Sequence, residues 1–151
     1  MIDLKNIDSI EKKLAELKEN QQPVFGKFTP QHMVEHLAYT VEVSYGKVNL
    51  SFASKEENLP ALRAFLYSDK EIRAGAKAPF LGDDLPDLVC SSLEDAKQKL
   101  SVSLTLFHEY YAVNKSSQHM HPVFGMLNYE EWLMFHSKHF ALHFKQFELI
   151  K

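Results

Sequence analysis

Apolar residues along this chain recur every three to four positions, and almost no segment alternates apolar with polar, so the pattern predicts helices rather than strands. The first helix is short, Ile7 to Asn20, with Ile10, Leu14 and Leu17 on one side and Glu11, Lys12, Lys13 and Glu16 on the other. It packs on the outside of something larger. Pro23 and Gly26 then interrupt the pattern. A second helix starts at Thr29, a good N-cap followed by Pro30 at the position where a missing N–H costs nothing, and stops near Gly46. Its apolar face is Met33, Val34, Leu37 and Val41.

A third helix is expected within residues 58–75, between Pro60 and Gly75, carrying Leu62, Phe65, Leu66 and Ile72. Residues 76–89, with Pro79, Gly82 and Pro86, form an ordered connection longer than a tight antiparallel hairpin needs. Ser91 or Ser92 caps a long helix to Asn114, with Glu94 and Asp95 in the first turn where the helix dipole favours them. Asn128 caps a last helix that runs nearly to the C-terminus. The expected fold is therefore an all-α helical bundle with one crossover.

Placed at about 100° per residue, the last helix divides into two sides. Trp132, Leu133, Phe135, Phe140, Leu142, Phe144, Phe147 and Ile150 form an apolar arc, and Glu130, Ser137, Lys138, Ala141, Lys145 and Glu148 lie opposite. His136, His139 and His143 fall within about 60° of one another inside the apolar arc. An imidazole among aromatic rings loses water and must recover hydrogen bonds or a metal ion, because an unsatisfied buried polar group costs about 1–3 kcal/mol. His139 and His143, one turn apart, project side by side and can reach one ion. Spacing alone does not separate a metal pair from hydrogen-bonded core histidines.

His36 is the best third ligand. It lies about as far into the second helix as His139 and His143 lie from the end of the last, so antiparallel packing brings all three to one level about 10–15 Å from a helix end. His32 points further toward the polar side and reads as solvated. "HMVEH" is not the HExxH zincin motif, since Glu35 does not follow the first histidine directly. His119 and His121 flank Met120 and read as turn residues, and His108 faces either core or solvent.

The chain has 151 residues, 45% hydrophobic and 25% charged, the size and composition of one globular domain spanning 1–151. A formal charge of −3 with scattered basic residues gives no stripe for nucleic acid. The N-terminus lacks the pattern of a signal peptide and no segment approaches the roughly 18 apolar residues of a membrane span, so no membrane partner and a cytoplasmic location are expected. The single cysteine, Cys90, fits a reducing compartment and reads as a small buried hydrophobe.

"FGKFTPQHMVEHLAY", residues 25–39, and "HPVFGMLNYEEWLMFHSKHFALHFKQF", residues 121–147, resemble the DinB/YfiT-like superfamily, in particular its branch of short uncharacterised bacterial proteins. The combination of a Thr-Pro start, a histidine one to two turns later, "HPVFG" before the last helix and H-x3-H-x2-Q at its end carries the resemblance. It implies a four-helix bundle of DinB/YfiT type with one long crossover, to which the short N-terminal helix is an addition. It also implies a divalent metal ion (Zn, Ni, Mn or Fe) held by His36, His139 and His143, and a homodimer. Gln146 matches the glutamine that ends the motif, either beside a ligand or simply packing. Many members have a histidine where this chain has Leu142; here His136 stands nearby instead, as a neighbour of the ligands, a substrate contact or the nearest general base.

Three neutral imidazoles leave an ion with open positions, the arrangement of a catalytic site. The resemblance implies the reaction: thiol (S-) transfer or hydrolysis on a small molecule, with a low-molecular-weight thiol as cosubstrate. The alternative is a non-catalytic, metal-stabilised bundle in a stress-related or interaction role.

Overall fold

The computed structural model describes residues 2–76 and 84–151, and Pro79 and Gly82 of the expected crossover lie outside them. Five α-helices dominate: α1 (Ile7–Ala15), α2 (Pro30–Ser44), α3 (Leu59–Tyr67), α4 (Leu93–Val113) and α5 (Tyr129–Gln146). A short antiparallel hairpin, β1 (His119–His121) and β2 (Gly125–Leu127), pairs His119 with Leu127 and His121 with Gly125. No strand was expected. Strands of three residues are too short to show an alternating pattern.

The helix starts follow the capping chemistry. Asn6, Thr29, Ser92 and Asn128 each accept a backbone N–H from the first turn of α1, α2, α4 and α5. Asn128 and Glu131 form a complete capping box. Glu131 then goes further: its other oxygen accepts from Tyr67 Oη at 2.8 Å and from the Arg63 guanidinium, tying α3 to α5. α2 packs most extensively on α4, and Met33, Leu37, Val41, Leu104, Phe107, Phe140 and Phe144 are fully buried in the core so formed.

Both α1 and α3 end earlier than their apolar pattern suggests. α1 stops at Ala15 rather than Asn20, and the Leu17 carbonyl accepts from Lys97 Nζ at 3.0 Å. α3 stops at Tyr67 rather than near Gly75, because the next turn is drawn to α5. Lys138 Nζ donates to the Ser68 and Lys70 carbonyls at 2.6 Å each, and lies 5.0 Å from the centre of the Phe65 ring. Lys138 is only 2% exposed, and Ser137 and Ala141 beside it are buried. The middle of the side expected to be polar is thus covered, while Glu130 and Glu148 at its two ends stay exposed. A lysine is tolerated there because its stem is apolar and its ammonium finds carbonyl acceptors.

The C-termini of α2 and α5 close in the same way. Gly46 N–H donates to Val43 and Lys47 N–H to Glu42. Glu148 N–H donates to Lys145 and Leu149 N–H to Phe144. Both are Schellman closures that need a left-handed residue after the cap, filled by Gly46 at φ +83 and by Glu148 at φ 56. The last helix therefore stops at Gln146, short of its expected end, with no glycine to announce it. The left-handed region costs a non-glycine residue about 1–2 kcal/mol. Glu148→Gly should raise stability in chemical denaturation by a few tenths to about 1 kcal/mol, part of the gain being offset by the looser unfolded chain. Gly46→Ala should lower it by at least about 1–2 kcal/mol, since its Cβ would also lie 2.5 Å from the His119 ring.

Candidate metal centre

The cap at Thr29 and the proline after it set the start of α2, which places His36 near the end of its second turn. His139 and His143 stand one turn apart on α5. The three rings meet. Their centroids lie 4.8 Å (His36–His139), 5.0 Å (His36–His143) and 4.8 Å (His139–His143) apart, with interplanar angles of 80°, 74° and 79°. One nitrogen from each ring lies within 4.8 Å of the others, and His36 Nε2 and His139 Nε2 approach to 2.9 Å. Nitrogens bound tetrahedrally at about 2.0–2.1 Å stand about 3.3 Å apart, a value these distances bracket. The cluster is compatible with a metal site.

Gln146 settles the orientation of one ring. Its Nε2 donates to the Phe25 carbonyl at 3.0 Å, so its Oε1 is the atom that meets His143 Nδ1 at 2.8 Å. Nδ1 must then carry the proton and Nε2 the lone pair. Behind this contact, Val24 N–H donates to the Gln146 carbonyl at 2.8 Å. Gly26, at φ +75, approaches so closely that a Cβ would stand 2.8 Å from Gln146 Nε2. Phe28 stacks on His143 at 5.6 Å and Phe135 on His139 at 5.0 Å. His139 Nδ1 is enclosed without a hydrogen-bond partner among the described residues, so the polar contact of this ring runs through Nε2 into the cluster.

Burial keeps these rings neutral. It lowers His36 to about 3 and His143 to about 4, and holds His139 well below 6.5, with the neighbouring imidazoles adding to the effect at His36 and His139. Neutral imidazoles are what a cation requires of its ligands. The cluster forms part of the wall of a cleft of about 1170 Å³. Phe28, Phe65, Phe124 and Leu142 give it an apolar lining, and Lys27, Lys70 and Arg73 add positive charge.

The remaining histidines separate by environment. His136 is 0% exposed, and its ring packs on Phe107, Trp132, Phe135 and Phe140. Neither of its nitrogens has a hydrogen-bond partner among the described residues. It is not one of the residues that line the cleft. His32 is half-buried rather than solvated: Nδ1 meets Thr29 Oγ1 at 2.6 Å and Nε2 the Pro86 carbonyl at 3.0 Å. His108 joins Tyr129 and the Leu4 carbonyl. His121, expected to be a turn residue, ends β1 and is buried in the cleft wall. Its apolar surroundings were hidden because Phe124, Trp132 and Phe135 meet it only through the hairpin and α5.

These burials set a pH dependence. Desolvation lowers His36, His121 and His136 to about 3 and His143 to about 4, from 6.5. Below pH 6.5 the unfolded chain therefore takes up protons that the folded chain refuses. Stability is full above that pH and is lost as pH falls toward 4, each histidine contributing up to about 1.4 kcal/mol per pH unit. The melting temperature, followed by circular dichroism from pH 8 to pH 4, should fall steeply below 6.5. His136→Leu should make that fall shallower by about one proton and raise neutral-pH stability by about 1 kcal/mol; an unchanged slope would contradict the assignment.

Among the described residues no helix is long and apolar enough to cross a membrane. No curated protein and no solved structure matches the chain. A family model described as protein of unknown function (DUF1569) matches residues 1–149. Since that match spans nearly the whole chain, from before α1 to beyond α5, the protein belongs to the DUF1569 family.

Proposed function

We propose that this is a divalent-metal-dependent enzyme of DinB-like, four-helix-bundle type, with His36, His139 and His143 as ligands, acting in thiol transfer or hydrolysis on a small molecule. The observation that carries the proposal is the cluster's accessibility. His36, His139 and His143 are 6%, 7% and 8% exposed at the wall of a cleft, whereas His136, on the same helix as the last two, is at 0%. A closed structural site needs no such opening. A divalent ion held there would supply Lewis-acid polarisation of a substrate carbonyl or thiol.

The protein's own groups do the rest. Gln146 keeps the proton on His143 Nδ1 and so presents the Nε2 lone pair. Phe28 and Phe135 shield the rings. Lys27, Lys70 and Arg73 outnumber the cleft's two acidic residues, Glu71 and Asp84, and Glu71 is already engaged by Lys145 at 2.7 Å and 2.8 Å, a balance that favours an anionic substrate. The resemblance to DinB-like bacterial proteins supports a homodimer and a low-molecular-weight thiol as cosubstrate, and the single cysteine, Cys90, supports a cytoplasmic location. Light scattering should accordingly return twice the 17.4 kDa chain mass.

One observation favours the non-catalytic alternative: the cluster joins α2 to α5, so an ion there would also staple two helices. Metal analysis of untagged protein tests both readings. Near-stoichiometric Zn, Ni, Mn or Fe should be present, or taken up on reconstitution, and lost in His36→Ala and His139→Ala. Gln146→Ala should weaken metal affinity by about 10- to 100-fold while leaving the ligands in place. Gly26→Ala, which presses on the same amide, should weaken it less. Absence of metal after reconstitution would sink the proposal. Turnover in a panel of thiols with electrophiles, or in a hydrolysis panel, separates enzyme from staple; metal-dependent folding without turnover in either favours the staple.

A further inference from the structure

His121 shares the cleft wall with the three-histidine cluster, but its polar contacts are built differently. Its Nδ1 accepts two backbone hydrogen bonds, from Val123 N–H at 3.0 Å and Phe124 N–H at 3.3 Å. An imidazole nitrogen that accepts cannot carry the proton, so the neutral ring holds it on Nε2. The hairpin turn is itself fixed from behind, because the Pro122 carbonyl accepts from Ala53 N–H at 2.8 Å and Ser54 N–H at 3.2 Å. Aromatic contacts hold the ring plane: Phe135 at 4.2 Å, Phe124 at 4.9 Å and Trp132 at 5.4 Å. Phe135 also stacks on His139, and His121 is near enough for charge on it to oppose protonation of His139. The result is a rigid, neutral N–H donor beside the cluster, in a cleft whose other lining is largely apolar.

We propose that His121 is a substrate-contacting residue, its Nε2–H donating to a carboxylate or carbonyl oxygen of a small molecule bound at the three-histidine centre. This rests on the metal-site reading given above. The hairpin turn fixes the ring in the cleft wall, and the lysines and arginine of the cleft favour the same anionic ligand.

Two substitutions divide the ring's roles. In His121→Asn the side-chain oxygen can still accept from the turn while the distal N–H is gone. In His121→Gln the amide N–H reaches the distal position while the turn loses its acceptor. The probe is acetohydroxamate, titrated into cobalt-loaded protein and followed by the visible spectrum. His121→Asn should keep wild-type cobalt content and melting temperature but bind the probe about tenfold more weakly, the loss of one hydrogen bond to a charged ligand. His121→Gln should melt lower yet bind the probe within about threefold of wild type. Wild-type affinity in His121→Asn with full cobalt would overturn this inference and leave the metal site standing. So would a tenfold loss in His121→Gln, which decides the matter if the asparagine variant does not fold. Wild-type protein that takes up no cobalt would overturn both.

Discussion

Burying imidazoles among aromatic rings strips them of water, and the arrangement of the site follows from how each ring makes good that loss. His36 and His139 meet each other at 2.9 Å, His143 meets Gln146 at 2.8 Å, and His121 meets the backbone of its own turn. Hydrogen-bond donors and acceptors in a low-dielectric interior have few alternatives: the contacts of His143 and His121 fix a tautomer as well as a position, while between His36 and His139 either ring can donate. The cluster's members are neutral and nearly perpendicular to one another, and two of them, His36 and His139, meet nitrogen to nitrogen.

That arrangement depends on both ends of the chain. Gln146 is the last residue of α5, where the Schellman closure through Glu148 ends the helix. The N-terminal segment is bonded to this same turn: Val24 donates to the Gln146 carbonyl, Gln21 Nε2 to the Phe147 carbonyl at 2.5 Å, and Phe25 accepts from the Gln146 amide. The side chain that orients His143 is therefore held by residues more than a hundred positions away in sequence. Strain at Glu148 and close approach at Gly26 are local costs of ending the helix at that residue.

Helix positions were readable because the apolar period and the caps are local: Thr29-Pro30 and Asn128 start α2 and α5 where their chemistry says they should. Rotation about the last helix axis put His139 and His143 on one face, and the matching depth of His36 in the second helix added the third ring; the same rotation also included His136, which packs in the core instead. What local pattern cannot carry is a contact made by another element. Lys138 looks polar on its helix and is buried because α3 ends to offer it carbonyls. His121 looks like a turn residue and is buried because the hairpin folds onto Trp132 and Phe135. The early ends of α1 and α3 have the same origin, as lysines of other helices bond carbonyls of the residues just beyond them, Leu17, Ser68 and Lys70.

The contrast between His136 and His121 bears on what the cleft does. Both are fully or almost fully buried, both are lowered to about 3, and both pack on Trp132 and Phe135. His136 is enclosed on all sides, so its neighbours give it a place in the core and no route to a ligand. His121 has one nitrogen committed to the backbone and lies in the wall of the cleft. Selection for core packing alone has no need of an imidazole at either position, since an apolar side chain of similar size avoids the desolvation. At His121 that cost maintains an N–H on a ring fixed by its own turn, in the same cleft wall as the three clustered histidines; an ion held by the cluster as proposed would put a Lewis acid and a hydrogen-bond donor in that one wall.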